Sequence, residues 1–295
     1  MLEDSQEPSV SAMSVDRPTF SQREGVEPFP TQLALKSLSQ HARAVLWDAV
    51  YQSVRLSIKH DMVHSPWNEI LRDWCVEHLV VASHVWTQYW PKYEGTFHKL
   101  FTDLKYNHTF DFVEYLLRHA SCPKDFSPIV EAALRKGRTA YTIIDDDTIV
   151  PRVTEEEGKA LKGALADLRE TPFAGAKTHL KLAAQKLGDE AYSESVRESI
   201  SAVESVASML AGKDKSELGP ALDLLKKHQD IHGALLDGFK KIYGYTSDHK
   251  GIRHALLEGG DANVDFYDAA FMLGACSSFV SYLVGKGRAA GIIKE

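Results

Sequence analysis

The chain predicts an all-α protein with a small β-hairpin, built as an N-terminal helical domain followed by a C-terminal helical bundle. Three observations carry this expectation. Apolar residues recur at every third or fourth position through most of the 295 residues, which is the period of an amphipathic helix. One stretch, Ala140 to Pro151, instead sets two β-branched runs around a short acidic turn. A composition of 44% hydrophobic and 25% charged residues is globular and supplies a sizeable core.

Taken in order, residues 1–18 are rich in Ser, Glu and Pro and predict a disordered tail. Pro28, Pro30 and the alternating Leu33, Leu35 and Leu38 suggest a short strand or extended segment. A helix follows over about 39–58, with Ser39 as its cap and Leu46, Val50 and Val54 on one stripe. Ser65, Pro66 and Glu69 open a second helix, which the apolar residues Ile70 to Trp86 extend to about Trp90, before Pro91. Three more helices are expected over about 93–105, 109–121 and 125–137. The hairpin at 140–151 puts Asp145, Asp146 and Asp147 in a solvated turn. Thr154 and Glu157 form a T-x-x-E capping box for a helix to about 170, and Pro172 starts another that ends near Gly188. Val196, Ile200, Val203, Val206 and Leu210 stripe a helix from about 193, closed by Gly212. Shorter helices are expected at about 217–228 and 232–242, then a loop at 244–251, then a final helix from about 265 to 284 carrying Phe266, Leu273, Phe279 and Leu283.

Net charge is −7. Its first 30 residues hold six acids and two arginines, and residues 190–295 hold fifteen acids and twelve bases. No segment is basic enough to mark a nucleic-acid binder by charge alone. Cys75, Cys122 and Cys276 are widely separated and odd in number, which suits a reducing, cytoplasmic setting. There is no uninterrupted apolar run of membrane-spanning length and no secretory pattern at the start, so no membrane partner is expected.

Several groups of residues bear on chemistry. His60 and His64 have the spacing of a metal pair if both lie on one helix face, but the segment falls at a helix boundary without an H-E-x-x-H pattern, and polar loop histidines are the better reading. Arg72 and His78 are six apart, which puts them on different faces of a helix. Trp86, Tyr89, Trp90, Tyr93, Phe97 and Phe101 form an aromatic series best read as core. The densest group lies in Ile242–Ala255: Thr246, Ser247, Asp248, His249, Arg253 and His254, with Gly244 and Gly251 on either side. Arg binds phosphate bidentately, His moves protons near neutral pH, and Asp orients a histidine. A metal-independent ribonuclease needs those parts; the alternative is a structural loop, with Ser247 or Asp248 capping a helix and Arg253 paired to an acid. No cofactor and no metal are implied.

The runs Ser193–Ala207, Leu218–Leu222, Tyr243–Leu256 and Asp265–Leu283 resemble the C-terminal domain of AbiJ-type abortive-infection proteins of bacteria, which is regarded as HEPN-like. Phe20–Pro28, Leu46–Ala49 and the hairpin are similar to the N-terminal half and connector of the same family. The resemblance implies a disordered tail at 1–18, an N-terminal helical domain at 19–138, a hairpin and helical connector at 139–190, and a HEPN-like four-helix bundle at 191–286. It also implies a phage-defence effector that acts on RNA through a homodimer of its bundle. Arg253, His254, His249, Asp248 and Arg197 would then be the catalytic set, with Arg197 and Glu198 as a polar pair completing it. HEPN ribonucleases carry R-x4–6-H, and no such spacing occurs between residues 190 and 295. The other expectation is therefore a non-catalytic dimerisation or sensing module, with an N-terminal domain that binds a phage or host protein.

Overall fold

The computed structural model describes residues 20–24, 26, 34–152, 154–169, 171–212, 218–228, 231–247 and 264–293. It is helical apart from two small antiparallel hairpins. The N-terminal half contains α1 (Phe20–Arg23), α2 (Gln40–Arg55), β1 (Ile58–Lys59), β2 (Met62–Val63), α3 (Trp67–Glu77), α4 (Glu94–Thr102), α5 (Tyr106–Arg118) and α6 (Phe126–Lys136). The central hairpin is β3 (Tyr141–Ile144) and β4 (Thr148–Pro151). Then come α7 (Glu155–Asp167), α8 (Ala174–Gly188), α9 (Tyr192–Leu210), α10 (Leu218–His228), α11 (Gly233–Ser247) and α12 (Phe266–Ala289).

Helix starts follow their caps. Ser39 accepts the Ala42 amide, and Thr154 and Glu157 close a reciprocal capping box. Asp265 and Asp268 form the same box at α12. Helix ends are less regular. α3 stops at Glu77, well short of Trp90, because Val80 adopts φ 54° and the Val81 amide returns to the Cys75 carbonyl. The stop is thus built on a left-handed β-branched residue, where glycine is usual. Arg138 and Glu190 end α6 and α8 in the same left-handed conformation. Gly291 ends α12 five residues beyond the expected stop. Gly244 breaks nothing, and α11 continues through it to Ser247. Leu35 and Lys36 form a turn, and no strand occurs at residues 34–38. The expected tail at 1–18 lies outside the described residues.

Two hydrophobic cores form, and the central hairpin is the wall between them. The first gathers α2–α6 around Trp67, Phe97, Phe101, Phe112 and Phe126. The second gathers α7–α12 around Leu161, Phe173, Val196, Val203, Leu273 and Val280. Helices α7 and α8, expected as a connector, thus share the core of α9–α12. Helix α9 is central and touches α8, α10, α11 and α12. Because strand side chains alternate faces, Tyr141, Ile143 and Ile149 join the first core while Ile144 and Val150 join the second. Among the described residues α12 alone is long and apolar enough to cross a membrane; 56% of its most apolar window is buried within the fold.

A two-stranded ribbon leaves outward amides unpaired. Here Ile143 and Ile149 are register partners, and each amide donates to a glutamate of the N-terminal half. The Ile143 N–H reaches Glu131 Oε2 at 2.8 Å and the Ile149 N–H reaches Glu114 Oε1 at 2.6 Å. Asp146 is exposed, as expected of the turn, but Asp145 is not. Asp145 and Asp146 have φ 51° and 67°, and the Asp145 side chain is only 7% exposed, in contact with Lys177 (2.9 Å) and Lys181 of α8. Burial works to raise the Asp145 carboxyl, but the two lysines outweigh it and hold the group below its ordinary range.

Asp145→Asn keeps the shape and tolerates the left-handed backbone, so it isolates the charge. It is expected to cost about 1–3 kcal/mol in urea unfolding, since two lysines lose their buried partner. The depressed carboxyl contributes above its unfolded pKa and loses that contribution as pH falls through its folded value. The difference between wild type and variant should therefore hold from neutral pH down to about pH 5 and shrink below about pH 4. A pH-independent difference would remove the charge from the explanation.

Candidate functional site

The α8–α9 face is built by small residues. Ala176, Ala183 and Ala184 of α8 pack with Ser195, Ser199 and Ala202 of α9 in the buried layer, and Ser195 Oγ donates to the Ala183 carbonyl at 2.8 Å. Close approach of the two helices brings their flanking polar residues together. His179 Nδ1 lies 2.7 Å from Glu198 Oε2. Glu198 Oε1 lies 3.9 Å from Arg197 Nε. Nearer the α8–α9 turn, Lys186 meets Glu194 at 2.9 Å. The Glu194 hydrogen bond raises the Lys186 pKa, and Lys186 lowers that of Glu194.

Chemically this is an imidazole oriented by a carboxylate, with a guanidinium alongside. A carboxylate on Nδ1 fixes the ring and leaves Nε2 as the group able to exchange a proton. Arg197 is 51% exposed along its side chain, so it can reach an anion in solution. Arg197 and Glu198 do pair, as neighbours on one helix. His179 was not singled out in the sequence, because 19 residues separate it from Glu198 and no motif spacing joins them.

Of the residues picked from sequence, Arg197 is described. Asp248, His249, Arg253 and His254 lie outside the described residues. Phe266, the first residue of α12, sets its ring 6.2 Å from that of Tyr192, the first residue of α9. Arg197 is five residues further along α9, about 7.5 Å of helical rise.

The other groups resolve simply. His60 and Asp61 are the two left-handed residues (φ 49° and 63°) of the tight β1–β2 turn, a type I′ geometry; His60 and His64 therefore do not share a helix face. Arg72 binds Asp73, which also meets His119 at 3.3 Å. Trp90, Tyr93, Phe97 and Phe101 are buried in the first core, as expected, while Tyr89 is exposed. No group of three or more His, Cys, Asp or Glu among the described residues could hold a metal ion.

Compared with known families, residues 18–167 match the model described as AbiJ N-terminal domain 4. The match runs from α1 through the hairpin to the end of α7 and does not extend to α8–α12. No curated protein and no solved structure gives a significant match to the chain.

Arg197→Ala removes an exposed side chain whose one ion pair is long, so unfolding free energy should change by less than about 0.5 kcal/mol. A thermal melt checks this. A drop comparable to that of Asp145→Asn would show that Arg197 is structural.

Proposed function

The chain belongs to the AbiJ N-terminal domain 4 family, and from that premise we propose that it is a bacterial abortive-infection effector whose C-terminal helices cleave RNA without a metal. The family carries the defence role. The RNA-cleaving role is supported chiefly by the His179–Glu198–Arg197 group on the α8–α9 face. In this reading a histidine takes the proton of a ribose 2′-OH, which attacks the adjacent phosphorus. A 2′,3′-cyclic phosphate forms as the P–O5′ bond breaks, and the leaving 5′-oxygen receives a proton. Arg253, with Arg197, stabilises the negative charge that builds on the phosphoryl oxygens. Asp248 orients His249 or His254.

We place the protein in the cytoplasm, where its three cysteines, all without disulfides, would stay reduced. We further propose a homodimer through the HEPN-like bundle. Tyr267 and Phe271, one turn apart on α12, are 71% and 59% exposed, and such aromatics favour an interface. That same surface, with the missing R-x4–6-H spacing and an acidic C-terminal region, favours the second reading. In it the bundle is a non-catalytic dimerisation or sensing module, and the N-terminal half answers to a phage or host protein.

Expression of wild type, Arg253→Ala, His254→Ala and Arg197→Ala in bacteria separates the two. Cleavage predicts toxicity with RNA breakdown in the wild type and loss of both in Arg253→Ala and His254→Ala. Equal toxicity of all four, or intact RNA throughout, overturns it and leaves the non-catalytic module.

A further inference from the structure

A second feature lies in the N-terminal half, away from the α8–α9 face. The end of α3 and the outer faces of α4 and α5 enclose a cleft of about 540 Å³, within the range of small-ligand sites. Its inner corner is made of three rings. Trp74 and His78 stack with centroids 3.9 Å apart, and Tyr115 meets both edge-on at 5.0 and 5.2 Å. Trp74 is almost wholly buried, and among the described residues its indole Nε1 has no hydrogen-bond partner.

The polar wall combines two carboxylates with Arg118 and the imidazoles of His78 and His108. Asp111 and Glu114 line the cleft from α5. Arg118, the one guanidinium lining it, is engaged: it pairs with Glu114 at 2.9 Å and donates to the Asp147 carbonyl at 3.2 Å. Asp111, 65% exposed, makes a 3.8 Å contact with His108 Nδ1 and no closer ion pair among the described residues. Two lining groups are shifted mainly by burial, with a smaller contribution from nearby carboxylates. Burial first, then the charges of Glu77 and Asp73, pushes the Tyr115 phenol up to about 12. Burial likewise raises Glu114, against its bonds to the Ile149 amide and Arg118, with Asp111 and Asp147 adding to the rise. Leu79 and Leu104 give the cleft an exposed apolar rim.

Ring faces attract cations, and carboxylates beside them add to the attraction. An anion such as a nucleotide phosphate meets the opposite: two carboxylates and a guanidinium already paired. The volume exceeds what one side-chain head fills, and the leucine rim suits an aliphatic stem and apolar neighbours. We propose that this cleft binds an organic cation on an apolar stem, presented as an arginine or lysine of a partner protein, with its head between Asp111 and the Trp74–His78–Tyr115 corner. The site stands on this geometry alone and does not rest on RNA cleavage.

The test uses the full chain labelled with ¹⁵N and follows the indole N–H signals, that of Trp74 being assigned by its loss in Trp74→Phe. Probes are Ac-Ala-Arg-Ala-NH2, the same peptide with citrulline in place of arginine, spermidine, and GMP. The arginine peptide should shift the Trp74 signal. The citrulline peptide, equal in shape but uncharged, should bind about tenfold more weakly or worse, and exposed Asp111→Asn should weaken the arginine peptide by about threefold or more. Asp189→Asn, in the C-terminal half, should leave it unchanged. Spermidine binding more tightly than the peptide would overturn a protein as the source of the cation. Equal binding of the citrulline peptide, tighter binding of GMP, or no Trp74 shift with any probe at millimolar concentration would overturn the site.

Discussion

Burying a two-stranded ribbon on both faces leaves its outward amides with no water to bond, and each unpaired group costs about 1–3 kcal/mol. The β3–β4 hairpin meets that cost with charged side chains from both halves of the molecule. Glu131 and Glu114 take its edge amides from the N-terminal side, and Lys177 and Lys181 hold its turn aspartate from the C-terminal side. Lys162 of α7 in turn pairs with Glu131 at 2.7 Å, so one carboxylate serves the hairpin and both halves. Alternation along the strands then sends Tyr141 and Ile143 into one core and Ile144 and Val150 into the other. Sliding the register by one residue would exchange these faces and strip both cores.

This wall fixes where the chemistry can lie. Helix α8 is anchored to the turn by Lys177 and Lys181, and His179, between them in the chain, meets Glu198. On the other side, α5 braces the hairpin through Glu114 and Arg118, and the same stretch of α5 lines the aromatic cleft. The two surfaces are thus joined through the rigid hairpin. The family match ends in α7 at Asp167, inside the second core, so the matched module packs on against α12 and α8.

Helix starts were legible because a cap is a local device. Ser39 and the Thr154–Glu157 box lie within a few residues of the amides they serve. Helix stops were legible where glycine carries the left-handed residue, as at Gly212, and hidden where Val80 carries it. That conformation costs valine energy, and no local pattern announces it. The β1–β2 turn was hidden for the same reason: His60 and Asp61 take the positions where Asn-Gly would have been a signal. The hairpin itself was plain, since β-branched alternation is periodic. The role of its acids was not, because a buried aspartate and a solvated one look alike until the lysines of a later helix arrive.

By itself the sequence determined the helical class, the position of the hairpin, most helix starts, and the family likeness of the N-terminal half, all of which depend on neighbours within a few residues. Only the tertiary structure decided which face of each strand meets which core, that Asp145 is a buried tie, that His179 stands on Glu198 beside Arg197, and that Trp74, His78 and Tyr115 converge beside Asp111. These are contacts across tens of residues. No local propensity encodes them, because they exist only once two separate helices are brought to packing distance.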